Sequence, residues 1–85
     1  MATLIKSNGE KQDGYVATTL SEMQGAVGGY IEFIYLPNNS GLNNKVLVVN
    51  DEGALKQLPR NVEASQLAGQ NIVGDVLLMN QKDID

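Results

Sequence analysis

The sequence predicts a small α+β domain, a mostly antiparallel sheet of four or five strands with two short helices on one face. Three observations carry that expectation. Residues 30–36, 45–49 and 72–79 are runs of β-branched, aromatic and leucine side chains. Two short segments bear helix caps, one opening at Thr19 and one at Asn61. Gly, Asn, Asp and Pro punctuate the intervals, as turns require.

Residues 3–6 make a first short strand. Asn8-Gly9 then gives the strongest short-range hairpin signal, with a polar return strand near residues 11–17. Thr19-Leu20-Ser21-Glu22 fits a capping box, in which the Thr19 hydroxyl accepts from the Glu22 N–H and the Glu22 carboxylate reaches back. Leu20, Met23 and Val27 recur at helical spacing, so one apolar stripe faces the sheet until Gly28-Gly29 ends the helix. Residues 30–36 are almost continuously apolar, which predicts a central strand covered on both faces for part of its length. Alternation there gives the core Ile31 or Phe33 and sends Glu32 to the opposite side. Pro37 stops the strand, residues 38–44 form a long hairpin connection, and residues 45–49 return. A turn at 50–53 leads to residues 54–58, read as one helical turn or a short extended piece, which Pro59 ends. Asn61 caps a second helix over 62–68, with Ala64, Leu67 and Ala68 apolar, and Gly69 closes it. Residues 72–79 make the last strand, where Gly74 marks a bulge or a close backbone approach. Neither helix is long enough to stand alone in water, so each depends on the sheet.

With 85 residues the chain holds one domain, residues 1–80, followed by a short polar tail at 81–85 expected to fray. It has no Cys and no His, which excludes disulfides, thiol catalysis, cysteine-bound zinc and the commonest general base. Ten acidic against six basic residues give a net charge of −4, which argues against broad contact with nucleic acid or anionic membrane. No apolar run approaches the ~18 residues of a membrane-spanning helix, and Met1 to Gly9 lacks the basic-then-apolar pattern of a signal peptide. A cytoplasmic protein without cofactor or metal is the resulting expectation.

Three segments together carry a resemblance: Val27-Gly28-Gly29-Tyr30-Ile31-Glu32, then 50–61 (Asn-Asp-Glu-Gly-Ala-Leu-Lys-Gln-Leu-Pro-Arg-Asn), then Ile72-Val73-Gly74-Asp75-Val76-Leu77. Their order and spacing resemble a family of small proteins classed as a domain of unknown function and frequent in phage and mobile-element genomes. The family pattern usually has Gly at the position of Gln57 and Glu at that of Asp51, and a shorter loop than 38–44. The resemblance implies a phage or mobile-element context, in an infected or carrier bacterial host, and supplies no activity.

Glu32 and Asp75 lie inside apolar strands, where a carboxylate must be solvated, paired or functional. Facing one shallow pocket, the two would bind sugar hydroxyls or a cationic group; on an open face they would simply be solvated. No nucleophile or second base accompanies them, so the chain is expected not to be an enzyme. Asp51 and Glu52 lack the further oxygen ligands of a calcium loop. Gly28-Gly29 is a helix end rather than a phosphate loop, which needs a following Lys and Ser/Thr. Lys56 and Arg60, just ahead of the helix start at Asn61, make the best candidate anion site, with Tyr30 placed to stack a base.

The leading expectation is therefore a non-enzymatic phage-type accessory protein that sequesters a small nucleotide-like ligand, in host takeover or counter-defence. A second is an inhibitor that presents its acidic surface to a host protein, and a third is a structural or virion component. Self-association through exposed strand edges is a further expectation for a domain with so thin a core.

Overall fold

The computed structural model describes residues 2–36 and 44–83. The elements follow the order β1 (Ala2–Ile5), β2 (Lys11–Tyr15), α1 (Leu20–Val27), β3 (Ile31–Tyr35), β4 (Lys45–Asn50), α2 (Val62–Ala68) and β5 (Val76–Asn80), with a 3-10 turn at Gln81–Asp83. The strands form one antiparallel sheet in the order β2-β1-β5-β4-β3. The expected α+β architecture is what the chain adopts.

The capping box forms as the sequence predicts. Thr19 Oγ1 accepts from the Glu22 N–H at 3.2 Å, and Glu22 Oε1 accepts from the Thr19 N–H at 3.1 Å. Gly28 and Gly69, both left-handed, end α1 and α2. The Asn8-Gly9 hairpin is present, and its return strand ends at Tyr15. The long connection at 38–44, with Pro37 ahead of it, falls outside the described residues except for Asn44. Residues 51–57 form successive turns, without a helix.

The helices lie on opposite faces of the sheet, not on one. Met23 and Val27 of α1 pack with Ala2, Leu4, Val46, Val48, Leu77 and Met79. Ala64 and Ala68 of α2 pack with Ile5, Leu47, Val49 and Val76. The reason is in β4 and β5, whose successive side chains are apolar on both sides of the pleat. Val46 and Val48 serve one helix, and Leu47 and Val49 the other. A bare face there would leave buried-type residues in water, at about 2 kcal/mol each. Leu67, partly buried, packs on the α2 side, whereas Leu20 is 59% exposed and takes no part in the α1 stripe. It sits in the first turn of α1, one turn ahead of the first buried position, Met23.

Two further expectations are corrected. Residues 30–36 are not a central strand, because β3 is the sheet edge and the fully covered strand is β4. An apolar run reads alike whether it is covered on both faces or left open at an edge, and pairing decides between them. Residues 72–79 do not run as one strand either. Val73 makes only an isolated bridge to Arg60, Gly74 turns at φ +78°, and β5 starts at Val76. The close approach expected at Gly74 is real: a Cβ there would lie 2.8 Å from Leu58 Cδ1. Beyond Asn80, Gln81–Asp83 form the 3-10 turn, and the Gln81 N–H donates to the Asn44 carbonyl at 2.8 Å.

Candidate functional site

The six residues singled out from the sequence separate in space. Asn61 is buried, and its side chain is committed to the fold. Its Oδ1 accepts from the Ala64 N–H at 3.0 Å, and its Nδ2 donates to the carbonyls of Ile5 and Gly74, both at 2.9 Å. Its own carbonyl accepts from the Ser65 N–H and hydroxyl. Arg60 is exposed and bridges Val73 through the backbone. Lys56 lies elsewhere, its Nζ packed over Gly29 so closely that a Cβ there would sit 2.9 Å away. The Asn50 side-chain amide nitrogen would lie 3.0 Å from the same Cβ. The space at Gly29 is thus filled from within the chain.

Tyr30 and Lys56 share a recess of about 190 Å³ with Gln24, Gly29 and Glu52. A whole nucleotide calls for a pocket of ~300 Å³ or more, so this recess suits a ring or a phosphate rather than both. Glu32 and Asp75 do not share a pocket. Asp75 Oδ1 accepts from the Ser7 N–H at 3.0 Å, in a recess beside the end of α1. Glu32 stands on the α2 side of β3, where it lines a recess of about 170 Å³ with Asp51, Gln70 and Asn71.

The structure exposes a surface that sequence reasoning did not single out. β3 pairs with β4 on one side only, and no described strand lies on its other side. The Asp51 N–H donates to the Tyr30 carbonyl and the Leu36 N–H to the Lys45 carbonyl, so the even-numbered residues of β3 face β4. The outward backbone groups belong to Ile31, Phe33 and Tyr35. The same three side chains lie on the α1 face, because Phe33 pairs with Val48 and Tyr35 with Val46. Ile31 packs on the core, Phe33 is 36% exposed and Tyr35 65%; neighbouring Tyr30 is 69% exposed. The sequence signal was there in Tyr30, Phe33 and Tyr35 at spacings of three and two, although it reads equally well as packing.

One carboxyl and one ammonium group are perturbed, both away from this edge. The N–H groups of Thr18 and Thr19 hold the Glu22 carboxyl below its ordinary value. The Glu63 carboxylate, 2.7 Å from Lys11 Nζ, raises that ammonium. Among the described residues no cluster of three or more acidic side chains is arranged to hold a metal. No described helix is long and apolar enough to cross a membrane.

A family model described as Domain of unknown function (DUF3846) matches residues 1–85. No curated protein and no solved structure matches the chain.

Proposed function

We propose that this chain, which belongs to the DUF3846 family, is a non-enzymatic binding protein that acts by occupying a partner protein, as a phage or mobile-element accessory in a bacterial host. One observation carries the reading: Phe33 and Tyr35 stand exposed on one face of a β3 edge that no described strand covers, with Tyr30 exposed just ahead of it. Exposed aromatic residues supply large contact area at small entropic cost, and they dominate protein interfaces. The net charge of −4 favours a basic partner surface. The test is a photo-cross-linking amino acid placed at Tyr35 or, as a control on the far face, at Gln66. Expressed in the host, the Tyr35 variant should form a defined protein adduct that the Gln66 variant does not. Absence of an adduct from Tyr35, or the same adducts from both positions, would refute the reading.

Sequestration of a small nucleotide-like ligand is the second reading. The presence of Tyr30 and Lys56 in the lining of one recess supports it. Its ligand contacts would be Tyr30 and Lys56, without Arg60 or Asn61. Calorimetry with cyclic and linear nucleotides decides it, since Lys56→Ala should abolish any binding seen and Arg60→Ala should not.

A further inference from the structure

We propose that the outer edge of β3 is a docking site for an extended protein segment in which basic and apolar side chains alternate, added to the sheet as a sixth strand. The inference rests on the protein-binding reading and gives it a surface and a partner chemistry.

The two edges of the sheet differ. β2 is Lys-Gln-Asp-Gly-Tyr; its Lys11 is tied to Glu63 of α2, and its Asp13 accepts from Thr3 Oγ1 at 3.1 Å. Charges and glycine of that kind discourage strand addition. β3 is Ile-Glu-Phe-Ile-Tyr, with one charge and open backbone donors and acceptors at Ile31, Phe33 and Tyr35. An added strand would bond to those three residues, and its side chains would fall alternately on the two faces. On the α1 face they would meet Phe33 and Tyr35. On the other they would meet Glu32 and the recess it lines with Asp51. Gln70 and Asn71 complete the polar part of that recess, no Lys or Arg lines it, and neither carboxylate makes an ion pair with a described residue. Apolar groups on one face and basic groups on the other satisfy both.

A second copy of the chain fits the edge less well. Antiparallel pairing centred on Phe33 would set each Glu32 diagonal to the other, with Asp51 close by and no cation between them. Two chains of net charge −4 also repel.

The test is a residue-resolved NMR titration with two short capped peptides, one alternating lysine with valine and one alternating glutamate with valine. The lysine peptide should move the amide signals of Ile31, Phe33 and Tyr35 and bind at least about tenfold more tightly than the glutamate peptide. Methylating its backbone nitrogens should remove binding, and Glu32→Gln combined with Asp51→Asn should remove most of the preference for the lysine peptide, with the melting temperature unchanged. Equal binding of both peptides, or shifts confined to other surfaces, would overturn the proposal. Concentration-dependent changes at residues 31–35 without peptide would assign the edge to a second copy instead. If neither peptide binds β3 while Tyr35 still cross-links a host protein, the docking inference fails and the broader reading stands.

Discussion

The side-chain amide of Asn50 donates to the carbonyl of Val27 at 3.0 Å, tying the end of β4 to the end of α1. Asn50 Oδ1 also accepts from the Glu52 N–H, which shapes the turn that follows. Asn61 does the corresponding work on the other side of the sheet, where it joins β1, α2 and the segment before β5. Residues 27–32, 50–61 and 72–77 therefore meet in space. Gly29 lies under Asn50 and Lys56, Gly53 against Val73, and Gly74 against Leu58. They explain the fold, and the open edge of β3 lies beside them.

Removing Asn61 should come close to unfolding the protein. Asn61→Ala leaves the Ala64 N–H and the carbonyls of Ile5 and Gly74 without their partner. The expected loss is about 3–5 kcal/mol in urea unfolding. Asn61→Ser keeps an oxygen for the cap and should recover only about 1 kcal/mol of that. Near-parental stability of Asn61→Ala would refute the structural role.

Gln57 holds a left-handed backbone at φ +57°. A side chain there costs roughly 1 kcal/mol, which glycine avoids in the folded state while losing more chain entropy. Gln57→Gly should raise stability by a few tenths of a kcal/mol to about 1 kcal/mol. Gln57→Val, β-branched, should lower it. Denaturant titration of the two variants side by side reads the sign.

The Glu22 carboxylate is held below its ordinary value of 4.5 by the Thr18 and Thr19 N–H groups. A group more acidic folded than unfolded stabilises fully above its unfolded value. That stabilisation fades as the pH falls through the folded value. The melting-temperature gap between the parent and Glu22→Ala should be constant near neutrality and shrink steadily below pH 4.5. A gap that widened on acidification would contradict the capping role.

Phe33→Ala should be milder than a core truncation. A fully buried Phe costs about 3–5 kcal/mol to truncate, but Phe33 is partly exposed at an edge. About 1–2 kcal/mol is expected. The same substitution should weaken partner binding more than it weakens the fold. Thermal unfolding beside a titration with the lysine–valine peptide separates the two.

The helix ends were legible because caps are local. Thr19, Glu22, Gly28, Asn61 and Gly69 act within a few residues of their own positions. The faces were not, since placing α1 and α2 on opposite sides depends on how β4 and β5 pair across long intervals of chain. The edge position of β3 was hidden for the same reason, and Ile31, Phe33 and Tyr35 look like core until their neighbours are known. Asn61 was legible as a cap, but its two donated bonds reach Ile5 and Gly74, distant in sequence. That commitment turns a residue proposed for ligand contact into a structural one.

Amide hydrogen exchange along β3 tests the central claim most directly. The Ile34 N–H faces β4 and should exchange slowly, whereas the Phe33 N–H faces outward and should exchange at least about tenfold faster in the free protein. On adding the lysine–valine peptide, Phe33 should slow toward Ile34 while residues of β2 stay unchanged. A Phe33 amide already protected in the free chain, or one left untouched by a bound peptide, would contradict the account.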